Sequence, residues 1–99
     1  MNIPKSLKIL AHEYEIEIDP EMLIAGSSMG LCCSNILKIK VAGGIPKSMQ
    51  ADTILHEIIE ALNYQLELGL DHNVISSLSA SLLSVIIDNK LEFNNLNTY

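Results

Sequence analysis

Polar and apolar residues alternate along the first half of the chain and recur at helical spacing along the second. Tyr14, Ile16 and Ile18 alternate with Glu13, Glu15 and Glu17. Successive strand side chains point to opposite faces, so this segment predicts a half-buried strand with an acidic outer face. Ser6 to Leu10 predicts a short strand before it. The phase slips at Ala11-His12, which marks a tight turn. Asp19-Pro20 ends the second strand, and residues 21–28 fit either a turn of helix or a loop. Leu31 to Cys33 predicts a third strand, turned back by Ser34-Asn35. Leu37, Ile39 and Val41 alternate with Lys38 and Lys40 in a fourth, and Gly43-Gly44 closes the half.

Pro46 suits the opening turn of a helix, where its missing N–H does no harm. The pattern carries that helix to about Leu68, with Gly69 as its stop. A second helix is predicted from about Asn73 to Asp88, ending at Asn89. Its apolar positions are Ile75, Leu78, Leu82, Val85 and Ile86, and Ser77, Ser81 and Ser84 form a small-residue stripe suited to close helix contact. The connection through Leu70-Asp71-His72 is short, so the two helices should be antiparallel neighbours. Strands followed by helices make an α+β fold: a small, mainly antiparallel sheet, then two antiparallel helices. The 99 residues bound a single domain, with strands in 1–45, helices in 46–89 and a tail over 90–99.

Composition narrows the partners. Hydrophobic residues make up 48%, yet there are only three Tyr, one Phe and no Trp, so the core must be aliphatic. Net charge is −6, no Arg occurs, and the six Lys form no run. An acidic chain without a basic patch is a poor match for a phosphate backbone, so nucleic acid is not expected as a partner. No stretch reaches the roughly 20 apolar residues of a membrane span, and Met1-Asn2-Ile3-Pro4-Lys5 lacks the apolar run of a signal peptide. Cys32 and Cys33 are adjacent, and a bridge between strand neighbours would be strained. Free thiols fit a reducing compartment, so the expected location is the cytoplasm.

The candidate chemistry sits in the first helix, at His56-Glu57-Ile58-Ile59-Glu60. This is H-E-x-x-H, the zinc-peptidase signature, with Glu60 in place of the second histidine. Positions i and i+4 share a helix face, so His56 and Glu60 can approach one ion, with Glu57 beside them as a general base. At about 100° per residue, His56, Glu60, Asn63 and Glu67 fall in one stripe that Asp52 and Thr53 extend by a turn. Glu57 and Tyr64 lie at its edge, and most of the remaining circumference is apolar. Such a stripe is either the solvent side of a buried helix or the wall of a polar cleft. Asn63, Tyr64 and Glu67 are candidate cleft residues on the second reading. His72 adds an imidazole within chain reach.

The run from Ile54 to Tyr64, with Leu68-Gly69-Leu70, Leu78 to Leu82 and Asp88-Asn89, resembles small phage-type proteins of the zincin metallopeptidase-like group. The opening Ile3-Pro4-Lys5 and the turn at His12-Glu13-Tyr14 are similar as well. The resemblance implies a zinc-dependent peptidase in which His56 is the first zinc ligand and Glu57 the general base and acid. Glu60 replaces the second ligand, and His72 falls about where an acidic third ligand would begin the next helix. The two departures look reciprocal and preserve a set of two His and one Glu, which suits catalytic zinc. If the first helix runs to Leu68, Glu60 lies roughly 12 Å before its end. A tight loop or an earlier helix end is then needed to bring His72 to His56. The group aligns a peptide along an edge strand, for which Leu37 to Val41 is the candidate. For a phage-encoded chain the implied location is the host cytoplasm.

Other patterns point elsewhere. Loss of the second histidine favours a non-catalytic binding protein of the same phage type. It would occupy a host protein or sequester a small ligand, with a homo-oligomer as one form. Glu57 and Glu60 also make E-x-x-E, which resembles the magnesium site of all-α nucleotide pyrophosphohydrolases, but the following helix offers serines where a second acidic pair is needed. Ser27-Ser28 between Gly26 and Gly30 lacks the lysine of a phosphate loop. His12 fits a turn residue in solvent, and no serine sits in a nucleophile elbow.

Overall fold

A computed structural model describes residues 3–22 and 28–92. Strands β1 (Ser6–Ile9), β2 (His12–Asp19), β3 (Gly30–Cys33) and β4 (Lys38–Ala42) form one sheet in the order β1-β2-β4-β3. β1 and β2 make an antiparallel hairpin, whose two-residue turn puts Leu10 at φ 57°. A positive φ at the first turn position suits the twist of the flanking strands. β3 and β4 pair antiparallel around a 3-10 turn (Ser34–Ile36), and β4 lies parallel to β2. The sheet is therefore mainly antiparallel, as the sequence predicts. Its order corrects one expectation, because β4 is interior and β3 is the free edge beside the helices.

The alternation of β2 sorts its side chains as expected. Tyr14 and Ile16 join Ile9, Ile39 and Val41 in a core closed by Ile54 and Ala61 from helix α1 (Lys47–Leu66). Buried apolar area of this kind contributes about 25 cal/mol per Å². The opposite sheet face carries ion pairs of Lys38 with Glu15 and Glu17, and of Lys40 with Glu17. The Tyr14 hydroxyl, fully buried, donates to Ser34 Oγ at 3.1 Å and accepts from Gln65 Nε2 at 2.9 Å. Those two bonds tie the C-terminal half of α1 to the β3–β4 turn.

Helix α2 (His72–Asp88) runs back along α1. It buries Ile75 and Ser79, not the expected Ser77, Ser81 and Ser84 stripe, which is exposed. Leu78, Leu82 and Val85 also stay 41% to 50% exposed. α2 is apolar or small almost all round, so the partner helix, not its own pattern, decides which face is covered. Among the described residues no helix is long and apolar enough to cross a membrane.

Candidate metal centre

α1 ends at Leu66, two residues earlier than its pattern suggests. Glu67 takes the left-handed conformation at φ 51° and its N–H closes onto Asn63 and Tyr64 carbonyls. Gly69, at φ 68°, makes a second reversal open only to residues that tolerate positive φ. The linker then folds back against the helix it has just left. Asn63 grips it from both sides: Oδ1 accepts from Leu70 N–H at 2.9 Å and Nδ2 donates to the Leu70 carbonyl at 3.3 Å. Asp71 caps α2, its Oδ1 accepting from Val74 N–H at 3.0 Å. The first helical residue is therefore His72, beside the middle of α1 and not beyond its end.

This early reversal brings three side chains together. His56 Nε2 lies 3.5 Å from Glu60 Oε2, and His72 Nδ1 lies 3.9 Å from the same oxygen. The two imidazole centroids are 4.9 Å apart. One donor atom from each of His56, Glu60 and His72 falls within 4.8 Å of the other two. Ligands at tetrahedral zinc, about 2.0–2.1 Å from the ion, sit about 3.4 Å from one another. The closest pair already meets that spacing. The wider ones need a closure of roughly an ångström by that measure, and His72, with 74% of its side chain exposed, has the room. The donor set of two imidazoles and one carboxylate fits zinc.

Glu57 lines the same cleft, which encloses about 790 Å³ between α1, α2 and β3. It is buried, and burial, with the Glu60 carboxylate as a smaller cause, pushes its pKa up to about 7. It reaches this place because Gly30 faces it from β3. A Cβ there would overlap Thr53 Cγ2 and lie 2.8 Å from Glu57 Oε2. Gly30→Ala is therefore expected to destabilise the fold by about 1–3 kcal/mol, as overpacking does. An unchanged denaturant midpoint would show that Thr53 and Glu57 yield freely.

The floor of the cleft is the free edge of β3. Ala42 N–H donates to the Met29 carbonyl at 2.8 Å. By antiparallel alternation, Leu31 and Cys33 face β4, while Gly30 and Cys32 turn their N–H and C=O outward. Ser28 Oγ donates to the Gly30 carbonyl at 2.5 Å, so the Gly30 N–H and both Cys32 groups are the ones left for a ligand. Both thiols are free; that of Cys32 is pushed above its usual pKa, chiefly by burial, which disfavours the reactive thiolate.

Asn63 and Tyr64 border the cleft. Glu67 does not: its left-handed cap conformation leaves it exposed at the helix end, outside the lining. His12 opens β2 on the exposed side. Of the glycine-serine segment, residues 26 and 27 lie outside the described residues, and Ser28 stands at the cleft rim. Two contributors went unread in the sequence, Gly30 and Asp71. An Asp directly before a helical pattern is a cap signal that would have moved the start of α2 to His72. No family model, curated protein or solved structure matches the chain.

Proposed function

We propose that the protein is a minimal zincin-like, zinc-dependent peptidase in which His56, Glu60 and His72 hold the ion and Glu57 is the general base. The observation that carries this reading is the convergence of three donor atoms from two helices, with a buried carboxyl beside them. Zinc held by these side chains would supply Lewis acidity toward a peptide carbonyl. Glu57 takes the proton of the attacking water and returns it to the leaving amine; burial raises its basicity for the first transfer, and a bound cation would favour the ionised form that accepts the proton. The outward N–H and C=O of Cys32 pair with the backbone of an extended substrate. Free cysteines fit a reducing compartment, which favours the cytoplasm, that of a host if the chain is phage-encoded.

Metal content tests the proposal. Untagged wild-type protein is expected to hold close to one zinc per chain, and His56→Ala and His72→Ala are each expected to lose it. Wild type that takes up no zinc would refute the metal reading.

The exposed Leu78, Leu82 and Val85 face favours a second reading, a non-catalytic binding protein or homo-oligomer that covers this stripe. A zinc-free chain that runs as a dimer in light scattering would support it.

A further inference from the structure

The cleft extends one helical turn beyond His56 to Asp52. Asp52 Oδ1 is buried and has no hydrogen-bond partner among the described residues. Folded proteins pair nearly all such atoms, so this carboxylate lacks a partner within the fold, and because Asp52 as a whole is only partly buried at the cleft wall, a group in the cleft can supply one once the side chain turns toward it.

Charge points the same way. No Lys lines the cleft, and the chain contains no Arg. Lys38 and Lys40 are paired with glutamates of β2 on the opposite face of the sheet. The ion's own charge has to be counted as well. A divalent ion held by His56, Glu60 and His72 would balance at most two carboxylates, those of Glu57 and Glu60, and would leave Asp52 without a counter-charge. Asp52 also borders a groove that continues between α1 and α2, where the other charged lining residue is Asp88. An anionic group entering beside Asp52 would be repelled and an apolar one would leave it unpaired, whereas an ammonium or guanidinium would pair with it more strongly than an uncharged donor.

Building on the metal reading of the same cleft, we propose that Asp52 is a specificity-determining residue that selects peptides with a lysine or arginine close to the bond cut. One helical turn, roughly 6 Å, separates Asp52 from His56. Two residues of extended peptide cover that span, so the cationic side chain belongs within two positions of the scissile bond.

The test uses zinc-loaded Glu57→Gln protein, which binds without cutting. Its ligands are hexapeptides carrying a single Lys, norleucine or Glu at each central position in turn, with affinity read by titration calorimetry. At one position Lys is expected to bind about tenfold or more tighter than norleucine, the scale of a charge-assisted hydrogen bond. Glu is expected to bind weakest. Asp52→Asn is expected to erase the difference between Lys and norleucine. Equal affinities at every position, a Lys preference that survives Asp52→Asn, or no binding of any peptide would overturn the proposal. Zinc content of the same samples separates it from the metal reading. A zinc-loaded protein without preference refutes the role of Asp52 alone. A zinc-free protein that keeps an Asp52-dependent preference refutes the metal site and retains the cation subsite.

Discussion

Glu57→Gln is expected to lower peptide hydrolysis by about a hundred- to ten-thousand-fold, the usual contribution of a positioned general base, while the bound zinc remains. The two side chains have nearly the same shape, so the packing against Gly30 survives and only the proton-accepting oxygen is lost. Glu57 lies outside the His56, Glu60 and His72 donor set, which is why chemistry and metal content should separate. Undiminished turnover in the variant would remove Glu57 as the base. Loss of zinc together with activity would make it a ligand instead.

The same carboxyl should govern how the metal-free protein responds to pH. In the folded chain Glu57 keeps its proton up to about 7, against an ordinary 4.5. Below 4.5 both folded and unfolded states hold that proton and burial carries no charge penalty. Between the two values the unfolded chain has released it while the folded chain has not, so stability falls as pH rises. Above 7 both are ionised and the loss is complete. A shift of that size corresponds to on the order of 3 kcal/mol. The urea midpoint of metal-free wild type is expected to drop between pH 5 and pH 8, and Glu57→Gln is expected to remove most of that drop. The difference between the two proteins isolates this one group. Zinc loading should flatten the wild-type profile, because a nearby cation favours the carboxylate. Equal slopes with and without the Glu57 carboxyl would place the buried acid elsewhere.

The strands of this fold were legible because one sheet face is buried and the other carries charge, which forces a strict alternation on β2 and β4. Their lateral order was not. Alternation says which side of a strand is wet and nothing about its neighbours, and the fourth strand, expected at an edge, returned between β2 and β3. Within the site, His56 and Glu60 followed from helical spacing alone. The meeting with His72 did not, because it depends on where α1 stops. Gly69 drew the expected end to Leu68, while the chain reverses at Glu67, a residue with no particular preference for positive φ. Tertiary bonds hold it there, above all those of Asn63 to Leu70. The covered face of α2 was hidden for a related reason. Ile75, Leu78, Leu82 and Val85 offer similar hydrophobicity in several directions, and only contact with α1 selects Ile75 and Ser79.

The linker that brings the helices together also exposes the proteolytic weakness of the design. Leu68 and Gly69 stand open to solvent between them, and such loop tips are where proteases first nick a folded chain. A single cut there would leave the core intact but place His56 and Glu60 on one fragment and His72 on the other. An ion shared by all three would then hold the pieces together alongside the packing of Ile75 and Ser79 against α1. If zinc is held there, its loss after such a cut would weaken the hold of α2 on the rest of the fold and leave the sheet untouched.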